Sequence, residues 1–198
     1  MSKGKSDMDI YLLSNNIDMF FSWNEYFADI RNVKVVCDDF CLFMNNNEVD
    51  CVVSPANSFG LMDGGYDAAI TEWFGDELQQ NVQKYIIDNY FGEQPVGTSF
   101  LIETPIQGIS LIHTPTMRIP EKIIDVSVIY HCMRTCLITA KQNNVKSIVI
   151  PAFGEATGRV NCKDVAKMMW MGYAQLIKED KSISWESAIE SHFREFDY

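Results

Sequence analysis

The sequence predicts an α/β fold, a three-layer α/β/α sandwich around a mixed central sheet. Strand-like runs alternate along the chain with segments whose apolar residues recur at helical spacing. The run at 49–56, VDCVVSPA, is β-branched and continuous, which is typical of a strand covered on both faces. Strand-like segments at 97–105 and 108–117 meet at Gln107-Gly108, which predicts a hairpin or short turn and therefore a mixed sheet.

The chain of 198 residues is predicted to form a single domain, 1–198. Its core is expected at about 9–180, followed by an amphipathic extension, 181–198, that is a candidate terminal helix. Asn16 and Asn161 are suited to cap helices, and Gly92 to end one. Further strands are predicted at 10–14, 33–40 and 145–153, and helices at 17–30, 67–75, 76–92, 124–144 and 161–180.

Composition and charge restrict the possible partners. The chain is 47% hydrophobic and carries a formal net charge of −11, which repels nucleic acid and anionic membranes. A phosphate-bearing ligand is therefore expected to be held by backbone N–H groups. No apolar run is long enough to cross a bilayer, and the N-terminus does not resemble a secretory signal. A cytoplasmic monomer is expected.

The six cysteines do not form a metal-binding pattern. They contain no C-x-x-C pair, and most lie in apolar segments. Buried, reduced thiols are therefore predicted, and no metal site.

Three strands are followed by residues suited to ligand chemistry. Asp38-Asp39 follows the second strand, 57–67 the third and 154–159 the last. Because the carboxyl ends of strands in α/β sheets meet at ligand-binding crevices, these segments are predicted to surround one cleft.

Two of these segments contain glycines that precede helices. Gly64-Gly65 and the pair Gly154 and Gly158 are suited to let backbone N–H groups approach a diphosphate. The alternative is that these glycines only shape tight turns. Likewise, Asn57 is either a ligand contact or a cap of the following turn, and Asp67 is either a functional acid or a helix N-cap.

Four segments resemble the macrodomain family of ADP-ribose-binding modules. VDCVVSPANSFGLMDGGYDAAI is similar to the family's first signature, and SIVIPAFGEATGRV to its phosphate-gripping loop. VKVVCDDF resembles the early strand that ends in Gly-Asp-Ile. LIHTPTMRIP resembles the form found in a phage-tail-associated and bacterial subgroup. The resemblance extends from about residue 10 to 177.

The resemblance implies a role for each matching residue. Asp39 is expected to accept a hydrogen bond from the adenine amino group, with Phe40 beside it. Asn57 is expected to bind the distal ribose, and Asp67 to orient or activate the attacking water; these two are the candidate catalytic residues. The other implied ligand-binding residues are Ala56, Gly64, Gly65, Tyr66, Phe153, Gly154, Glu155, Ala156, Thr157, Gly158 and Arg159.

The chain departs from the family pattern at several positions. Ser54 and Pro55 replace an Asn and an Ala, and are expected to affect only the strand end. Asp63 and Glu155 add negative charge near the expected diphosphate. Gly158, followed by Arg159, stands where many hydrolases have an aromatic residue. Residues 57–67 contain no Cys or His, so the zinc-dependent class is not expected.

Three functions remain open at this point. The first is metal-independent hydrolysis of ADP-ribosyl esters, on a mono-ADP-ribosylated protein or as O-acyl-ADP-ribose. The second is binding of ADP-ribose or a related nucleotide without turnover. The third is an accessory role in a virus or phage, which would place the protein in the host cytoplasm.

Four other residues receive structural interpretations. Arg118 is expected to form a salt bridge to an acid such as Asp63, with ligand contact as the alternative. His113 and His131 are expected in the core or on a helix surface. Tyr66 is expected to pack at a helix start more than to clamp a ribose.

Overall fold

One mixed sheet forms the centre of the protein in the computed structural model, which describes residues 8–177 and 182–189. Six strands and six helices follow one another between Asp9 and Ile177: β1 (Asp9–Ser14), α1 (Ile17–Phe27), β2 (Val33–Cys37), α2 (Phe40–Asn46), β3 (Cys51–Ser54), α3 (Gly65–Phe74), α4 (Glu77–Tyr90), β4 (Phe100–Glu103), β5 (Ser110–His113), α5 (Ser127–Gln142), β6 (Ser147–Pro151) and α6 (Cys162–Ile177).

The strand order is β2-β1-β6-β3-β5-β4. All neighbouring strands are parallel except β4 and β5, which pair antiparallel. Thr104 donates its N–H to the carbonyl of Ile109 at 3.2 Å across their connection, and Gly108 in it has a φ of +89°. The predicted mixed sheet, and the turn at Gln107-Gly108, are therefore confirmed. The five parallel strands all end at the same edge of the sheet.

Helices cover both faces of the sheet, as the continuous apolar pattern predicts. On one face Trp23 of α1 and Met169 of α6 pack against the sheet with Leu12 and Val53. On the other face Ile70 of α3 packs with the alternate residues of the strands, including Leu13 and Val52. Successive residues of a strand point to opposite faces, so β3 is buried on both. The three-layer architecture is confirmed.

Helix α2 is the main difference from the sequence prediction. The predicted strand at 33–40 ends at Cys37, and a helix starts at Phe40. The carboxylate of Asp39 accepts N–H groups from Cys41 at 2.8 Å and Leu42 at 3.4 Å. An aspartate that caps a helix in this way ends the extended segment, because the cap stabilises a helical start.

The predicted caps are present at three helix ends. Asn16 accepts the N–H of Asp18 at 2.9 Å, and Asn161 that of Asp164 at 3.0 Å. Gly92 donates its N–H to the carbonyl of Ile86 at the end of α4. Within the extension, 185–189 are helical; the rest of the predicted terminal helix lies outside the described residues, as do 178–180 of the predicted last helix.

The cysteines are free thiols. Cys51, Cys132 and Cys136 are buried as predicted, but Cys37 is exposed because it ends an edge strand. Across 8–177 and 182–189, no group of three or more His, Cys, Asp or Glu residues is placed to hold a metal ion. None of the helices in these ranges has the length and apolar character needed to cross a membrane.

Candidate functional site

A cleft of about 580 Å³ lies at the carboxyl ends of the parallel strands. Its walls are formed by the segments after β1, β2, β3, β5 and β6. The three segments singled out in the sequence, at Asp38-Asp39, at 57–67 and at 154–158, all contribute to it. The predicted convergence of these segments on one cleft is therefore confirmed.

Thirteen of the predicted site residues line this cleft: Asp39, Phe40, Ala56, Asn57, Gly64, Gly65, Tyr66, Asp67, Gly154, Glu155, Ala156, Thr157 and Gly158. Phe153 and Arg159 do not. The ring of Phe153 is fully buried in the core beside α5 and α6, and Arg159 is exposed outside the cleft with a φ of +54°. The structure therefore gives no support to a ligand-binding role for either side chain.

Asp67 lies at the floor of the cleft. It is the third residue of α3, and Gly64 holds the N-cap position, so the alternative that Asp67 caps this helix is wrong. Its carboxylate is 7% exposed and accepts a hydrogen bond of 2.5 Å from the Ser54 hydroxyl. Burial raises its pKa to about 7, and the Ser54 hydrogen bond acts in the opposite direction. Asp67 is thus a carboxyl group that can exchange a proton near neutral pH.

Ser54 was expected to affect only the strand end, and that expectation was wrong. Its side chain reaches across to α3 and makes the hydrogen bond to Asp67. The two residues are 13 positions apart, and their contact depends on the angle between β3 and α3, which sequence spacing does not reveal.

Asn57 organises the loop that follows β3. Its Oδ1 accepts N–H groups from Phe59 at 3.1 Å and Leu61 at 3.3 Å, and its Nδ2 donates to the carbonyl of Leu61 at 2.8 Å. Both acceptor sites of Oδ1 are therefore occupied, whereas Nδ2 has a second hydrogen to donate. The turn-capping alternative is correct for Asn57, and one donor is left for a ligand.

The first glycine segment presents an uncapped helix N-terminus to the cleft. Gly64 is the N-cap of α3, and no side chain bonds to the helix start. Gly65 has a φ of +56°, a conformation that favours glycine. A Cβ atom added at either glycine would meet no protein atom within 4 Å. The backbone therefore faces open space, where the N–H groups and the helix dipole favour an anion.

The second glycine segment is held by its own packing. Gly154 has a φ of +74°, and its carbonyl accepts the N–H of Val160 at 3.1 Å. A Cβ atom at Gly158 would lie 2.5 Å from the Gly154 carbonyl oxygen and 2.6 Å from Ile123 Cδ1. The close packing of this loop therefore requires a glycine at position 158, whether or not a ligand binds. The alternative that this glycine shapes a tight turn is correct.

The comparisons with known proteins agree with this architecture. The Macro domain family model matches residues 53–169, more than half of the chain. The chain belongs to the Macro domain family. An uncharacterized protein of Aquifex aeolicus is 31% identical over 124 residues, which are 62% of this chain and 71% of that protein. One of Aeropyrum pernix is 25% identical over 60% of each chain.

Solved macrodomain structures share the fold. An Oceanobacillus iheyensis macrodomain mutant with ADPR superposes with a TM-score of 0.59 at 20% identity, over 70% of this chain and 76% of that one. The macrodomain of Mycobacterium tuberculosis DarG gives 0.57 at 19% identity, over 66% and 85%. These similarities concern the fold, and the resemblance to the phage-tail-associated subgroup stays a prediction.

One end of the macrodomain cleft is aromatic. Phe40 packs edge-on against Tyr66, with ring centroids 5.2 Å apart, and against Trp73 at 6.5 Å. Tyr66 therefore packs at a helix start, as expected. Asp39 uses Oδ1 for the cap of α2, and its Oδ2 has no hydrogen-bond partner among the described residues. A free carboxylate oxygen beside an aromatic surface is suited to a nucleobase that carries an amino group.

The cleft is lined by acids and not by bases. Its described lining includes five carboxylates and no Lys, Arg or His: Asp38, Asp39, Asp63, Asp67 and Glu155. The Glu155 Oε1 accepts a hydrogen bond of 2.7 Å from the side-chain amide of Asn16. Arg118 does not reach Asp63; it pairs with Glu93 at 2.7 Å and lies over the Phe59 ring. The salt bridge was predicted, but its partner is different.

The sequence interpretation missed the parts of the cleft that follow β1 and β5. Thr116, Met117 and Pro120 form one wall, and Met117 pairs with Asn57 in an isolated β-bridge. Ser14 and Asn15 line another wall. Asn15 and Pro120 follow predicted strands, so their positions in the sequence were a usable signal. Ser14, Thr116 and Met117 lie inside the predicted strands 10–14 and 108–117, and the second of these ends at His113 in the structure. His113 is buried and His131 is exposed on α5, as expected.

Proposed function

We propose that this macrodomain binds ADP-ribose and hydrolyses ADP-ribosyl esters, in which the distal ribose is joined to a carboxylate of a protein or of a small acid. The observation that carries the proposal is Asp67, a carboxyl group buried at the floor of the cleft whose pKa is raised to about 7. A general base with a pKa near the working pH is well matched to activating water.

Residues along the whole length of the cleft can contact the successive parts of ADP-ribose. Asp39 Oδ2 accepts a hydrogen bond from the adenine amino group, with Phe40 beside the base. The backbone at Gly64-Gly65 and the segment 154–158 hold the diphosphate, because the cleft lining offers no cationic side chain for it. The remaining hydrogen of Asn57 Nδ2 is donated to a distal ribose hydroxyl.

The proposed reaction needs one water molecule and one base. The water oxygen attacks the anomeric carbon of the distal ribose, and the bond from that carbon to the ester oxygen breaks. The carboxylate leaves with the bonding electrons, and Asp67 takes a proton from the water. Asn57 and the diphosphate contacts hold the ribose in place for this step. The candidate residues provide a base and ligand contacts without a Cys and His set, so the proposed mechanism requires no metal.

Binding without turnover is the second candidate, and Asn57 favours it. Three of the hydrogen bonds that its amide can form are used within its own loop, so only one remains for a ribose. In addition, Gly158 provides no aromatic surface in the second loop. A macrodomain with these features is suited to recognise ADP-ribosylated proteins as a reader.

Two measurements separate these functions. Calorimetric titration with ADP-ribose tests binding, with wild type and with Asp39→Ser and Asp39→Ala. Serine retains the cap of α2 but does not reach the base, so both variants are expected to lose at least tenfold in affinity while only Ala loses about 1 kcal/mol of stability. No binding by the wild type would refute both functions.

Release of ADP-ribose from a protein mono-ADP-ribosylated on a glutamate carboxylate tests turnover, with wild type and Asp67→Asn, in buffer with and without EDTA. Asn can still accept the Ser54 hydrogen bond but cannot take a proton, so a loss of at least 100-fold in kcat with unchanged ADP-ribose affinity is expected. Equal rates for both proteins would remove Asp67 from the mechanism. Tight binding without any turnover would establish the reader.

A further inference from the structure

Ser54 holds a fixed position at the floor of the cleft. It is the last residue of β3, its side chain is fully buried, and it pairs in register with His113 of β5. Its carbonyl accepts the N–H of Thr114 at 2.9 Å. The backbone position of Ser54 is therefore set by β3, a strand that is paired on both sides within the sheet.

The Ser54 hydroxyl is the protein group that orients Asp67. The hydrogen bond of 2.5 Å goes to Asp67 Oδ1. Within the described chain no other side chain bonds to this carboxylate, and Oδ2 has no hydrogen-bond partner. Because Asp67 lines the cleft, Oδ2 is the oxygen left for a molecule bound there.

We propose that Ser54 is a positioning residue for hydrolysis, whose hydroxyl fixes the Asp67 carboxylate with Oδ2 directed to the attacking water and stabilises its ionised form. This inference rests on the proposed function of Asp67. A positioning role differs from a packing role in one measurable respect. A buried hydroxyl that only fills space affects the stability of the protein but not the pH at which Asp67 loses its proton.

The pH dependence of the reaction distinguishes the two roles. Burial raises the pKa of Asp67, and the Ser54 hydrogen bond lowers it. Only the ionised carboxylate accepts a proton from water, so kcat is expected to rise with pH through the Asp67 midpoint. Without the hydroxyl the midpoint moves to higher pH. Relative to wild type, Ser54→Ala is then expected to be roughly tenfold slower at pH 6 than at pH 9, and the deficit that remains at pH 9, where Asp67 is ionised in both proteins, measures the lost positioning.

The matched control is Thr114→Val. Thr114 is also fully buried at a strand end beside Ser54, but its hydroxyl bonds to Ser99 and not to Asp67. Ester hydrolysis without protein is subtracted at each pH. The control is expected to keep the wild-type midpoint; an equal shift in Thr114→Val and Ser54→Ala would overturn the positioning role.

Carbon-13 NMR titration of the Asp67 carboxyl group tests the inference without turnover. In wild type the Ser54 Cβ signal is expected to titrate with the same midpoint as Asp67, and in Ser54→Ala the Asp67 midpoint is expected to move up. An Asp67 midpoint that is unchanged by Ser54→Ala, or a Ser54 signal that does not titrate in wild type, overturns the inference. If no ester is hydrolysed, the proposed function fails, and the titration still reports whether Ser54 controls Asp67.

Discussion

A hydrogen bond between Asn16, at the start of α1, and Glu155, in the loop after β6, connects these two segments at the cleft. The Asn16 amide caps α1 through Oδ1 and donates from Nδ2 to Glu155 Oε1 at 2.7 Å, across 139 positions of sequence. A loop that carries an added acid is thereby attached to a helix start, and its carboxylate is bonded to an amide beside the proposed diphosphate site.

This relationship can be tested with two variants of opposite effect. Asn16→Ser keeps a good N-cap but cannot reach Glu155, so the loop is released with its full charge and ADP-ribose affinity is expected to fall about three- to tenfold. Glu155→Gln can still accept the hydrogen bond and removes the charge, so affinity is expected to rise two- to fivefold, by roughly 0.4–1 kcal/mol. Calorimetry measures both. Reduced affinity in Glu155→Gln would mean that the acid itself contacts the ligand.

Because the cleft is lined by acids, the affinity for ADP-ribose is expected to depend on salt concentration in an unusual way. Nucleotide sites lined by Lys or Arg lose affinity as salt increases, whereas here salt screens repulsion between ligand and protein. ADP-ribose affinity is therefore expected to stay constant or to rise about twofold between 50 and 500 mM NaCl. Asp63→Asn is expected to raise affinity at low salt and to reduce this dependence, with Glu48→Gln, an exposed acid outside the cleft, as the control. Affinity that falls steeply with salt would show that a cation contributes to binding.

Two glycines of the cleft are expected to respond differently to alanine. Gly158→Ala places a Cβ within 2.5 Å of the Gly154 carbonyl oxygen, so the second loop must shift. The free energy of unfolding is expected to fall by about 1–3 kcal/mol. Gly64→Ala adds a methyl group into open space at a φ of −137°. Its stability is expected to be unchanged, while ADP-ribose binding is weakened because the methyl occupies the space of the ligand. Unchanged binding in Gly64→Ala would mean that the ligand does not approach α3.

Two buried groups are expected to affect stability with opposite dependence on pH. Burial lowers the pKa of His113 to about 3, so between pH 3 and its usual value of 6.5 the unfolded chain takes up the proton and stability rises with pH. The pKa of Asp67 is raised from 3.8 to about 7, so in that range the folded protein retains the proton and stability falls with pH. The two contributions oppose each other between about pH 4 and 6.5.

Asp67→Asn removes one of these contributions. Relative to wild type, the variant is expected to gain stability as pH rises from 4 to 7, by as much as about 4 kcal/mol for a shift of three pKa units. Urea unfolding of both proteins at several pH values measures the difference, in which the other titrating groups cancel. Parallel stability curves would show that Asp67 is ionised at its usual pKa in the folded protein.

The limits of the sequence prediction follow from particular residues. Continuous apolar runs were enough to predict β3 and β6, because both faces of these two central strands are covered. The sequence places Asp39 at a strand end, although its cap creates helix α2, because Val33, Val35 and Val36 before it are strongly β-forming. The Ser54–Asp67 and Asn16–Glu155 contacts join residues from different elements, so no local spacing predicts them. Phe153 was included in the site by position in a motif, although its large apolar side chain favours the core.

The floor and the walls of the cleft are expected to differ in the free energy that local unfolding requires, because the floor lies on β3 and the walls are loops. Val52 and Val53 are fully buried on a strand that is paired on both sides, so amide exchange at the floor is expected to require global unfolding. Ala156 and Thr157 are exposed in a loop, where exchange needs only local opening. Ser54, the residue proposed to position Asp67, therefore ends a strand that is expected to exchange slowly, and the loops that form the walls can adjust to different ligands without disturbing it.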